Sequence, residues 1–82
     1  MHEISLLRGL IGQIEAIARE NHATRVTVVR LKLGPIAQIE PDHLREHFTE
    51  ATRGTIAEQA RLEIATTDEL HDLTLESIDV DH

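Results

Sequence analysis

The sequence predicts an α+β domain of two layers, in which a small three-stranded mixed sheet is covered on one face by two helices, in the order α-β-α-β-β. Three observations support this fold. Apolar residues recur at helical spacing over residues 4–20, apolar and polar residues alternate in 25–33 and 73–81, and Pro41 precedes an acidic helix start. Because the sequence has 82 residues, we expect a single domain covering 1–82.

The first predicted helix covers residues 4–20 and ends at the polar stretch 21–24. Its apolar residues form one stripe: Ile4, Leu7, Leu10, Ile11, Ile14, Ile17 and Ala18. Gly9 and Gly12 interrupt this helix, and each weakens it by roughly 1 kcal/mol relative to alanine. We therefore expect close packing of the helix on the sheet at these two glycines.

The first predicted strand covers residues 25–33 and separates an apolar face from a more polar one. One face carries Thr27, Val29, Leu31 and Leu33, and the other carries Val26, Val28, Arg30 and Lys32. The charges on the second face predict a sheet that helices cover on one side only. Gly34-Pro35 ends the strand.

The second predicted helix begins at Pro41, with Asp42 in its positively polarised first turn. Leu44, Phe48 and Ala51 follow at i, i+4 and i+7, and Arg53-Gly54 is expected to end the helix.

Two further strands are predicted at residues 60–66 and 73–81. Leu62 and Ile64 are expected to face inward in the first of them. In the second, the inward set changes from Leu73 and Leu75 to Ile78 and Val80, which predicts a β-bulge near Glu76-Ser77. The strand at 25–33 and the strand at 60–66 are expected to be parallel, because a helix connects them. The short link at about 66–72 allows an antiparallel hairpin between the last two strands.

Composition excludes several classes of function. The chain has 15 acidic and 8 basic residues and a formal charge of -7, whereas nucleic-acid binding requires a basic face. It has no cysteine, and therefore no disulfide and no thiolate zinc site. No apolar run approaches the roughly 18 residues of a membrane span, and no signal-peptide pattern is visible at the start. We expect a cytoplasmic protein that is not an enzyme and does not bind a membrane.

One candidate metal motif lies on the second helix. His43, Glu46 and His47 match the H-x-x-E-H pattern of inverted zinc peptidases, in which two histidines one turn apart bind zinc and the glutamate activates water. The alternatives are incidental metal binding by the two histidines, or two ordinary surface histidines. A zinc hydrolase is the remote alternative. It also needs a third ligand and a substrate cleft, for which a small domain has little room. His71, in the link, could also recruit a metal.

The other candidate metal site is the amino terminus. The amine of Met1, the backbone amide nitrogen of His2 and the imidazole of His2 can all reach one ion. Amine and amide close a five-membered chelate ring, and the imidazole Nδ1 closes a six-membered ring with the amide. Three nearly coplanar nitrogens suit square-planar Ni(II) or Cu(II), whereas zinc prefers a tetrahedron. The fourth position could be filled by Glu3 or by a ligand from a partner.

Several stretches together resemble one known family. They are MHEISL, RVTVVRLKLGPIAQIEPDHL, F-x-x-A-x-x-GT, AEQARLEI and ELHDLTLESIDVD, which together extend over essentially the whole chain. In their order and spacing the chain resembles the HypA/HybF family of hydrogenase nickel-incorporation proteins. The resemblance implies a metallochaperone that binds Ni(II) through Met1, His2 and Glu3. It also implies two partners, a HypB-like GTPase and the large subunit of a [NiFe]-hydrogenase.

The chain departs from the family pattern at one place. HypA-like proteins carry a zinc domain with two C-x-x-C pairs before the last core strand, and the link at about 66–72 stands in its place here. We therefore expect a nickel-binding domain alone, without zinc, whether the zinc domain is naturally absent or was removed. Delivery of nickel could depend on the missing part, so the alternative is a metal-independent protein-interaction module that retains the fold. Unpaired sheet edges also make a homodimer possible.

Overall fold

The computed structural model describes residues 3–82, with Glu3 described through its backbone alone. Within this range lie two α-helices, a short 3-10 turn and three strands: α1 (Glu3–Glu20), β1 (Arg25–Leu33), the 3-10 turn (Pro35–Ala37), α2 (Pro41–Ala51), β2 (Arg61–Thr66) and β3 (Leu73–Asp81). The predicted fold class and element order are confirmed. Neither described helix is long and apolar enough to cross a membrane.

The sheet has the strand order β2-β1-β3, with β1 parallel to β2 and antiparallel to β3. The mixed sheet is therefore confirmed, and β2 and β3 do not form the antiparallel hairpin that the short link allowed. Both strands pair with β1 instead. β1 contributes four buried residues to the core: Val26, Val29, Leu31 and Leu33. The central position shields this apolar strand and lets the backbone N–H and C=O groups on both of its edges form hydrogen bonds.

The link between β2 and β3 crosses over the end of β1. The Thr67 backbone N–H donates to the carbonyl of Leu33 at 3.0 Å, and the Gly34 N–H donates to the carbonyl of Asp72 at 2.9 Å. A Cβ atom on Gly34 would lie 2.6 Å from the Cβ of His71 and would overlap the His71 carbonyl. A glycine is therefore needed here because the link packs directly against the backbone.

The predicted bulge in β3 is confirmed. Arg30 pairs with Ser77 while the next residue, Leu31, pairs with Leu75, which leaves Glu76 as the extra residue. The bulge keeps apolar residues of β3 on the core side before and after the shift.

A second bulge, in β1, was not predicted. Val26 pairs with Val80 and Val28 pairs with Asp79, so Thr27 is the extra residue in β1. The prediction that Thr27 lies on the core face and Val26 on the other is therefore wrong for Val26, which is fully buried in the core. One inserted residue reverses the faces of the residues that precede it.

The core lies between the sheet and the two helices. Its buried helical residues are Leu7, Leu10, Ile11, Ile14 and Ala18 from α1 and Leu44 and Phe48 from α2. The predicted helical stripes are thus mostly confirmed, although Ile4, Ile17 and Ala51 are exposed. The expected close packing at Gly9 and Gly12 is wrong, because no atom lies within 4 Å of a Cβ built on either glycine.

The helix α2 ends two residues earlier than predicted. Its last residue is Ala51, and the Thr52 hydroxyl donates to the Phe48 carbonyl at 2.8 Å. Gly54 adopts a left-handed conformation (φ +77°) in the turns that follow. The buried Thr52 thus closes the helix through its side chain, and Gly54 redirects the chain toward β2.

The face of the sheet opposite the helices carries a charged network around Arg30. Its guanidinium donates to both carboxylate oxygens of Asp79 at 2.9 Å and to Glu63 at 3.1 Å. Hydrogen bonding from Arg30 lowers the pKa of Asp79. These groups are exposed, so they contribute little to stability, but they confirm that this face is polar and uncovered.

Candidate metal centre

Both helices begin at the same end of the sheet. Leu73 pairs with Leu33 at the end of β1, and Ser5 and Gly9 of α1 line a small cavity together with Leu73. The start of α1 therefore lies where β1 ends. α2 also starts there, since it follows β1 and returns along the sheet to the parallel strand β2. The two helices run in the same direction, and their first turns lie at one end of the molecule.

The principal predicted site falls mostly outside the described residues. Met1 and His2 lie outside them, as does the side chain of Glu3. The backbone of Glu3 begins α1, so the predicted donors directly precede a regular helix.

His43 and His47 lie on the exposed surface of α2, one turn apart. Their ring centroids are 6.0 Å apart, and the ring planes are inclined by 17°. The structure therefore brings these two predicted histidines together, as the i, i+4 spacing required.

A groove of about 610 Å³ separates the two helices and reaches the start of α1. Four apolar and four polar side chains line it. The apolar ones are Ile4, Leu7, Ile11 and Ala51, and the polar ones are Arg8, Glu15, His47 and Glu50. His47 therefore shares a groove with Ile4, the residue that follows the candidate ligands Met1, His2 and Glu3. No sequence motif marks this groove. The signal that could have revealed it is the crossover β1-α2-β2, which fixes the direction of α2.

His71 lies at the same end of the sheet but has a structural role in the link. Its carbonyl accepts a hydrogen bond from the Ile36 N–H at 3.1 Å, and its ring Nε2 lies 3.4 Å from a carboxylate oxygen of Glu69. These contacts account for its placement without a metal.

Among the described side chains, no group of three or more His, Cys, Asp or Glu residues could hold a metal ion. A hydrolytic zinc site needs three protein ligands and an open position for water. In the part of the chain that the structure describes, His43 and His47 supply two imidazoles, and no third ligand completes a set with them. The described residues therefore do not assemble the three-ligand set that the hydrolase motif needs.

The family model for HypA, described as hydrogenase/urease nickel incorporation, metallochaperone, matches residues 1–71. The chain belongs to the HypA family.

Curated HypA relatives match the chain closely. The hydrogenase maturation factor HypA of Methylocella silvestris is 47% identical over 64 residues, which cover 78% of this chain and 57% of that protein. The HypA of Albidiferax ferrireducens is 42% identical over 66 residues, which cover 80% of this chain and 58% of that protein. The match thus spans less than three fifths of the length of these relatives.

A solved structure shows the same fold. The solution structure of the Ni metallochaperone HypA from Helicobacter pylori superposes with a TM-score of 0.83, covering 99% of this chain and 98% of that chain at 16% identity. The family model stops at His71, before β3, although the resemblance was expected over essentially the whole chain. The structural similarity extends across β3.

Proposed function

We propose that this HypA-family domain binds one Ni(II) ion at its amino terminus and delivers it for the maturation of a [NiFe]-hydrogenase. The observation that carries this proposal is the family match over residues 1–71, which includes Met1, His2 and Glu3. These residues supply an amine, an amide nitrogen and an imidazole, three donors that suit a planar nickel ion. α1 begins at Glu3, so the donors are attached to a rigid element.

The proposed partners follow from the family resemblance. They are a HypB-like GTPase and the large subunit of a [NiFe]-hydrogenase, in the cytoplasm. A homodimer is a further possible assembly, through the outer edges of β2 and β3, which are unpaired within the described chain. The mechanism is transfer of a metal ion between ligand sets, and no covalent catalysis is proposed.

The position of the link supports a domain that functions without the zinc module. Thr66, which ends β2, and Leu73, which begins β3, both pair with Leu33. The two ends are therefore about 10 Å apart, two strand spacings. The link 67–72 closes this gap, and the sequence contains no cysteine to bind zinc. We propose nickel, and no zinc, as the bound metal.

The second candidate function is a metal-independent interaction module. The groove between α1 and α2, with Ile4 61% exposed in its wall, is the observation that favours it. Under this alternative the family fold binds a maturation partner, and the amino-terminal donors are irrelevant.

Complementation separates the two functions. In a bacterium that lacks its own HypA, grown with limiting nickel, we expect the wild-type protein to restore hydrogenase activity. We expect the His2→Ala variant to restore none, because it lacks the imidazole donor. His71→Ala is the matched control, because the contacts of this residue with Ile36 and Gly34 use its backbone and Cβ, which alanine keeps, and it should restore activity.

Equal restoration by the wild type and by His2→Ala would favour the interaction module. Absence of restoration by a wild type that is expressed and folded would contradict the delivery function.

A further inference from the structure

We propose that the link between β2 and β3 is a docking surface for a partner protein that carries an apolar pocket edged by lysine or arginine. This inference rests on the proposed function, because the partner is one of the proteins that nickel delivery requires. It goes beyond that function by assigning the contact to described residues that take no part in holding the metal.

The observation behind the inference is a pair of exposed apolar side chains at the end of β1. Leu70, in the link, is 83% exposed, and Ile36, in the 3-10 turn, is 55% exposed. The Ile36 N–H donates to the carbonyl of His71 at 3.1 Å, and Leu70 directly precedes His71. Because consecutive Cα atoms are about 3.8 Å apart, Leu70 and Ile36 are attached close to the same hydrogen bond.

Folding of the described chain does not account for these two side chains. The core includes their neighbours Ala37, Ile39 and Leu73, whereas Ile36 and Leu70 do not belong to it. A single exposed apolar residue is ordinary, but two adjacent ones on short connecting segments are typical of a contact surface.

Backbone hydrogen bonds hold Leu70 in place. The His71 N–H donates to the carbonyl of Glu69 at 2.7 Å, so Leu70 is the central residue of a three-residue turn. The Glu69 N–H donates to Oγ1 of Thr67 at 3.2 Å, and the Thr67 N–H donates to the carbonyl of Leu33 on β1. A loop that is already ordered loses little conformational entropy on binding, which favours Leu70 as the residue that enters a pocket.

The charges around the apolar pair decide the chemistry of the partner. Two exposed carboxylates, Asp68 and Glu69, directly precede Leu70, and neither the link 67–72 nor the turn segment 34–39 contains a lysine or an arginine. The basic residue closest to them along the chain is Lys32, which is half-buried in β1. Complementary charge guides and orients association, so lysine or arginine around the pocket fits this surface. We call Ile36, Asp68, Glu69 and Leu70 the link surface.

The same charges disfavour other occupants of the link surface. An anionic membrane or a nucleic acid would be repelled by Asp68 and Glu69. A second copy of the chain, docked through the same residues, would place like charges opposite each other. A basic protein surface is therefore the occupant that the charges favour.

The test compares Leu70→Ser with Ile17→Ser, and its probes are the purified HypB-like GTPase and the purified hydrogenase large subunit. Calorimetry should show that one of these probes binds the wild type. We expect Leu70→Ser to weaken that binding at least about tenfold, because a few apolar residues that fill pockets carry most of the binding energy of an interface. Ile17 is an exposed apolar residue of α1, and Ile17→Ser should keep the wild-type affinity within about a factor of two. Both variants should fold, because neither residue belongs to the core of the described chain.

A second comparison tests the charges. The double variant Asp68→Asn, Glu69→Gln removes both carboxylates, and Glu20→Gln, Glu58→Gln makes the same change in net charge at exposed positions elsewhere. Wild-type binding should weaken as the NaCl concentration rises. The first double variant should bind more weakly and respond less to salt, and the second should behave as the wild type does.

The outcomes separate this inference from the proposed function, because Leu70→Ser should bind nickel as the wild type does. If neither probe binds the wild type, or if Leu70→Ser binds a probe as tightly, the inference is wrong and the nickel proposal stands. Equal losses in Leu70→Ser and Ile17→Ser would also overturn it. So would a wild-type dimer, or wild-type binding to phosphatidylglycerol vesicles, that Leu70→Ser abolishes. If the wild type binds no nickel while a probe still docks through Leu70, nickel delivery fails and the docking surface stands.

Discussion

Acetylating the amine of Met1 is expected to abolish tight nickel binding. Acetylation converts this primary amine into a secondary amide and supplies no new amine in its place. The five-membered ring between amine and His2 amide is then lost. We expect the affinity to fall about a hundredfold or more, because even groups that only orient a metal ligand are worth about 10–100-fold. Calorimetry with NiCl₂ gives the affinity directly.

Two controls make this result specific. Acetylation also modifies Lys32, the one lysine in the sequence, so the Lys32→Arg variant without acetylation should bind nickel as the wild type does, and with acetylation it should lose binding. The His2→Ala variant keeps the amine and the amide but loses the imidazole, and it should also bind weakly. An acetylated protein that binds one nickel ion as tightly as the unmodified one would place the metal elsewhere in the chain.

Replacing Gly34 by alanine is expected to lower the free energy of unfolding by about 2–3 kcal/mol, in the upper range for overpacked sites. The added Cβ would lie 2.6 Å from the Cβ of His71 and would overlap its carbonyl, so the link must move away from β1. That movement disrupts the hydrogen bonds from the Gly34 N–H to Asp72 and from the Ile36 N–H to His71. Urea denaturation gives the loss of stability, and hydrogen exchange at the Gly34 amide reports the opening of the link.

Gly9→Ala is the matched control for that experiment. A Cβ at Gly9 meets no atom within 4 Å, and the residue is exposed on α1. Alanine there should raise the free energy of unfolding by up to about 1 kcal/mol, through helix propensity alone. If Gly34→Ala is as stable as Gly9→Ala, the link does not pack against β1 as described.

The boundaries of β1 and β3 could be predicted from sequence because their apolar residues alternate and turn residues flank them. The same alternation revealed the bulge at Glu76, where the inward set changes parity. The bulge at Thr27 could not be found in this way. Val26 and Val28 are both apolar, so either face assignment fits the sequence, and pairing with β3 decides between them.

The strand order could not be predicted because periodicity identifies the faces of a strand and not its neighbours. A six-residue link fits a hairpin as well as it fits a crossing over the end of β1. The packing of Gly34 against His71 is what accommodates the crossing, and a glycine before a proline reads in the sequence as a simple strand end.

The candidate site was predictable in part. The spacing of His43 and His47 placed both rings on one helix face, and the structure brings them together. The groove that His47 shares with Ile4 depends on two helices that run in the same direction, a tertiary property. The family resemblance identified Met1, His2 and Glu3, and that assignment stays a prediction.

The amino-terminal site is tested most directly by X-ray absorption at the nickel edge on the untagged protein with one equivalent of nickel, beside the protein acetylated at its amino terminus. The account predicts a four-coordinate, planar shell dominated by nitrogen in the authentic protein. It also predicts that this shell disappears in the acetylated protein. A six-coordinate, oxygen-rich shell that is the same in both proteins would contradict the account.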